Sequence, residues 1–218
     1  MAAWRIGSFV LGLAAITVAI VSPVSAQDRE MLTAHMIQHL LLMTIAPPLL
    51  WLGAPPKLWW SRFANRRLQR VARFAGRPMF AWTLSAAVLV GWHIPAALRL
   101  GMQSGAWHAV EQFSFLAAGL LFWRPVMQPR PHWSILVYLF LATLPCDVLS
   151  AFLVFSDRVA YPMYLCMPAN SGAKVLEDQQ CAGALMWTCV TVVYLVAGTV
   201  LATRMLSPRN DARGLEVV

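Results

Sequence analysis

The residues that could carry chemistry in this chain are a handful of histidines and acids set among apolar neighbours. His35 and His39 are spaced i, i+4, so on a helix both rings leave one face, and Met43 continues the same stripe. His108 and Glu111 are spaced i, i+3 and share a face of another helix, where the carboxylate can hold the imidazole tautomer. His93, Asp147 and Asp178 stand apart in sequence. Neutral imidazoles suit copper, zinc or iron, while thioethers favour Cu(I). Eleven methionines are available, among them Met36 and Met43 beside the histidine pair and Met163 and Met167 much later. Paired histidines on facing helices equally suit a haem iron. Any one of these histidines is explained as well by a hydrogen bond that glues two helices. No His-Glu-x-x-His, Gly-x-Ser-x-Gly or phosphate-binding glycine loop is present, so a hydrolase is not expected and the chain does not read as an enzyme.

The elements that must position these groups are membrane helices. Apolar residues make up 59% of the 218, charged residues only 12%, and mean hydropathy is +0.61. Soluble domains carry about 25% charged residues, so disorder, low complexity and an ordinary soluble enzyme are excluded. The apolar runs are continuous rather than alternating, which favours helices over a barrel. A bilayer core of roughly 30 Å needs about 20 apolar helical residues. Five stretches qualify: residues 31–52, 79–98, 106–123, 133–155 and 182–203. Within them Glu111 and Asp147 are the only acids, and Arg99 and Lys174 fall outside. A sixth stretch, residues 6–21, follows Arg5 and precedes Val24-Ser25-Ala26. It reads either as a signal peptide spanning 1–26 or as a further helix. The expected fold is therefore an all-α polytopic bundle over residues 27–206, with a tail at 207–218.

Direction follows from basic residues on alternate loops. One set of loops holds 13 of the 17 Lys and Arg, concentrated at 57–77, and the other holds 4. The richer set is expected in the cytoplasm, together with the C-terminus. The net charge of +8 then reports topology, and no nucleic acid is expected as a partner. Aromatic residues interleaved through 57–77 suit a helix lying on the anionic leaflet.

Depth adds the strongest signal. At about 1.5 Å per residue, His35, His39, His93, His108, Glu111 and Asp147 all fall in the outer third of the bilayer. Asp178 lies at the outer mouth of the last span, and His132 is the exception at the inner surface. Intramembrane ionisable groups are costly and normally face a bundle interior or a wet cavity, so one shared site is expected. Cys146 and Cys189 read as packing residues, with a thiolate ligand left open at Cys146 beside Asp147, whereas Cys166 and Cys181 both face the oxidising side, where a disulfide can persist.

Ala34-His35-Met36-Ile37-Gln38-His39, followed by Pro47-Pro48-Leu49-Leu50 and Leu52-Gly53-Ala54-Pro55, resembles the multi-span CtaG family of cytochrome c oxidase assembly factors. Trp92-His93-Ile94-Pro95, Phe122-Trp123-Arg124-Pro125, Tyr161-Pro162-Met163-Tyr164 and Asp178-Gln179-Gln180 extend the resemblance in order from about residue 31 to 187. It implies a role in maturing terminal oxidases, around copper delivery to an oxidase subunit, with a periplasmic copper chaperone as a further partner. It also carries the family's histidine positions onto His35, His39, His93 and His108, with Asp178 as the late acid. The Cys166/Cys181 pair is not expected from the family.

Overall fold

The computed structural model describes residues 3–22, 27, 30–54, 74, 76–128, 133–166 and 172–206, and among these there is no strand. Helix α1 is Ala3–Val21, and α2 (Leu32–His39) continues through a π-helical segment, Leu40–Ile45, into α3 (Ala46–Gly53). Then come α4 (Pro78–His93), α5 (Pro95–Gln103), α6 (Gly105–Val126), α7 (Ser134–Phe155), a short 3₁₀ turn at Pro162–Cys166, and α8 (Gly172–Leu206). Most of the basic loop 57–77, His132 and the tail 207–218 lie outside the described residues.

The local causes are readable. Pro47 and Pro48 have no N–H to donate to carbonyls one turn earlier. The carbonyl of Met43, four residues before Pro47, instead accepts the indole N–H of Trp123 at 3.2 Å. Trp51 Nε1 donates to Leu120 O at 3.0 Å, so α2–α3 is keyed to α6 at two levels. Pro95 forces Ile94 into an extended conformation (ψ 129°), which ends α4 at His93. Pro95 then opens α5 at a position where a missing N–H costs nothing. Ser104 starts α6 with its hydroxyl accepting from Trp107 N at 3.3 Å.

Four helices are long and apolar enough to cross a membrane: α1, the continuous α2–α3, α7 and α8. The expected straight span at 79–98 is corrected to a bent pair, because α4 and α5 meet at 76°; together they have the length and composition of a fifth span, broken or re-entrant. The span expected at 106–123 falls on α6, which is 22 residues long but not among the helices apolar enough to cross, since His108, Glu111 and Gln112 lower its hydropathy. The irregular segment expected over 156–181 is shorter than that, since α8 already begins at Gly172. Helix α1 packs along α3: a β-carbon on Gly53 would collide with the Phe9 backbone and side chain, and Arg5 Nε reaches Leu52 O at 3.5 Å. An aromatic group of buried Phe122, Trp123 and Tyr138 with partly buried Tyr194 holds α6, α7 and α8 together.

Candidate metal centre

Helix α2 delivers His35 and His39, the last residue of α4 is His93, and the first turns of α6 deliver His108 and Glu111. The four imidazoles form a row. Ring centroids are 6.5 Å apart for His108–His35, 4.2 Å for His35–His39 and 6.1 Å for His39–His93. Phe115 stacks on His39 with centroids 3.8 Å apart and fixes that ring from below.

Glu111 is the centre of this arrangement. It is wholly buried, and its Oε1 lies 3.2 Å from His35 Nε2 and 3.3 Å from His39 Nε2. Neither approach has hydrogen-bond geometry, so His35 Nε2, His39 Nε2 and Glu111 Oε1 converge without a hydrogen bond, and His39 Nδ1 and Glu111 Oε2 are likewise buried without one. Orphaned buried polar atoms are expensive, and five on neighbouring side chains fit a set of donors aimed at a cation. One ligand atom from each of His35, His108 and Glu111 lies within 4.8 Å of the others. Imidazole and carboxylate together suit Zn(II) or Cu(II).

Neighbouring bonds set the tautomers. His93 Nδ1 lies 2.7 Å from Leu89 O, a carbonyl that can only accept, so Nδ1 carries the proton and Nε2 is left bare. Tyr161 Oη donates to His93 O at 2.9 Å and holds the frayed end of α4. Burial pushes the Tyr161 phenol up to about 12, so it remains a donor at neutral pH. The Gln112 amide lies 3.0 Å from His108 Nε2 and orients that half-buried ring.

Four expectations are corrected. Glu111 does not support His108 from behind, because its oxygen sits between His35 and His39 and Gln112 takes the supporting place. Asp147 is not at the site. It faces a groove between α7 and α8 with Thr143, Trp187 and Thr191, because its position on α7 turns it away from α2. Asp178 is a helix cap: its carboxylate accepts from Leu32 N at 2.6 Å and Thr33 N at 3.3 Å, at the start of α2. The expected bridge is also absent here, with Cys166 and Cys181 both exposed free thiols.

Several contributors were missed. Gly101 on α5 makes room for Glu111, since a β-carbon there would overlap Glu111 Oε2. Gln179 is buried and ties the 158–160 turn to α8 by accepting from Ala160 N at 2.7 Å. Gln38 is fully buried with neither amide atom bonded. Spacing alone gives no hint of Gly101 or Tyr161, whereas a Gln one residue from a His in an apolar helix was a visible signal.

A helical bundle that gathers imidazoles and one buried carboxylate at a single end defines a multi-pass membrane protein with a polar site inside its helices. The chain matches the family described as cytochrome c oxidase caa3 assembly factor (Caa3_CtaG) over residues 1–207 of 218, and it belongs to that family. No curated protein and no solved structure matches it significantly.

Proposed function

We propose that this assembly factor holds a copper ion at its histidine end as cargo and passes it to an oxidase subunit. His35, His39, His93 and His108 are the imidazole donors and Glu111 the charged one. The observation that carries the reading is the convergence of unbonded Glu111, His35 and His39 atoms in a fully buried setting. A buried carboxylate with no hydrogen bond needs a cation nearby. The basic residues concentrated at 57–77 support placing the histidine end on the periplasmic side, where copper is delivered. A haem between paired histidines has less support. The cavity beside His39 and His93 has a volume of about 40 Å³, against the several hundred that a bound organic cofactor fills.

The test is divalent-metal binding by the purified protein, compared with Glu111→Gln. One Zn(II) or Cu(II) per chain is expected in the parent, with affinity down at least about tenfold in the variant. In cells, replacing any one of the four histidines by Ala should remove most oxidase maturation at unchanged protein level. Replacing all four should add little, because groups that act as a unit are non-additive. Partial, additive losses that track protein abundance would instead mark the histidines as bundle glue.

A further inference from the structure

Beneath the row of imidazoles lies a cavity of about 40 Å³, bounded by α2, α4, α6, α7 and α8. It is lined by Met36, Met43, Met186 and Cys146, with His39 and His93; the Cys146 thiol lies 3.8 Å from Ser150 Oγ and 3.9 Å from Met186 O. These sulfur residues come from three separate parts of the chain, α2 with its π segment, α7 and α8. The rest of the lining is aliphatic and aromatic apart from Thr44, Ser85, the indole of Trp82 and the phenol of Tyr194. His35, His108 and Glu111 do not line it. His39 belongs to both compartments, since its Nε2 lies 3.3 Å from Glu111 while its ring borders the cavity.

We propose that this cavity is a second binding compartment, selective for a soft monovalent cation, Cu(I), held by thioether and thiol sulfur. The inference rests on copper as cargo and deepens that reading. Two physical differences separate the compartments. Thioethers and a thiol prefer Cu(I), whereas a carboxylate among imidazoles prefers a divalent ion. An apolar wall also penalises charge, and the penalty grows steeply from one charge to two, so a monovalent ion is the one tolerated there. Packing alone accounts for methionines in a membrane bundle. It does not account for an unfilled space beside them, or for a buried His93 Nε2 without a partner. Room for an ion is sufficient, since a single water needs only roughly 10–15 Å³ on the same measure.

Ag(I), which is redox-inert and sulfur-seeking, is the probe for the cavity, and Zn(II) is the probe for the carboxylate site. Both are titrated into the full-length protein in detergent. The double variant Met36→Leu with Met186→Leu nearly conserves volume, so the fold should survive. Its Ag(I) affinity should fall at least about tenfold while Zn(II) affinity stays within about twofold. Glu111→Gln should show the reverse pattern. X-ray absorption at the silver edge should find sulfur neighbours in the parent and fewer in the double variant. Unchanged Ag(I) affinity in the double variant, or a sulfur-free silver environment, overturns the compartment. Unchanged Zn(II) affinity in Glu111→Gln overturns the carboxylate site instead, and Zn(II) binding certifies that the sulfur variant is folded.

Discussion

Asp178 offers the cleanest separation of a structural role from a ligand role. Its carboxylate accepts two backbone N–H groups at 2.6 and 3.3 Å, both at the part-buried start of α2, whose next turn carries His35. Thr33 adds a hydroxyl bond to the Asp178 carbonyl at 3.1 Å, which a side-chain change leaves in place. A hydrogen bond to a charged acceptor contributes about 1.5–3 kcal/mol, and a lost helix cap costs about 1 kcal/mol. Asp178 is only half-buried, which pulls the expected cost of Asp178→Ala towards about 2 kcal/mol. For a chain of this size that is a fall in Tm of about 4–8 °C. Asp178→Asn keeps one acceptor oxygen and should recover at least half of the loss, because Asn caps helices as well as Asp. Thermal unfolding in detergent by circular dichroism gives the stability, and Zn(II) titration gives the site. Asp178→Asn should bind Zn(II) as the parent does. If both variants melt normally yet lose Zn(II), Asp178 is a metal partner and the capping argument fails.

Gly101→Ala should push Glu111 out of its place, so Zn(II) affinity should drop by about ten- to a hundredfold with little change in Tm; parental affinity would mean the carboxylate is not a ligand. Asp147→Asn should leave metal binding unchanged, because Asp147 faces the α7–α8 groove, and a tenfold loss in the same titration would contradict that placement. Trp123→Phe removes the donor to Met43 O and should cost about 1–3 kcal/mol by the same melts, since a buried carbonyl loses its extra partner. Gly53→Leu should separate α1 from α3 and lower the yield of folded protein in the membrane, whereas Gly7→Leu, with open space around its position, should not.

Much of the fold was legible because apolar run length is a crude, strong signal, and α7 matches the expected 133–155 within a residue. The gathering of His35, His39, His93 and His108 was also readable, since depth along a helix depends only on counting residues. What counting cannot supply is azimuth. Asp147 turns into the α7–α8 groove, and Asp178 caps α2 through backbone N–H groups. The straight span at 79–98 failed for a local reason. An apolar Ile-Pro pair looks like membrane helix by hydropathy, yet Pro95 sterically denies Ile94 the helical conformation. Glu111 was assigned to its own helix neighbour His108, because i, i+3 spacing is visible in sequence and a contact with α2 is not.

The π segment at Leu40–Ile45 has a consequence for how this protein can change over evolutionary time. Such segments carry a wider turn inside an α-helix and recur beside functional groups. Removing or adding a single residue there would rotate everything beyond it by about 100°. His35 and His39 would keep their bearing, whereas Pro47 and Trp51 would swing away from Gly119 and Leu120. One continuous helix is thus indexed twice, its upper half to the imidazoles and its lower half to α1 and α6. Drift in the packing half can then be absorbed in those six residues without re-aiming the ligand half.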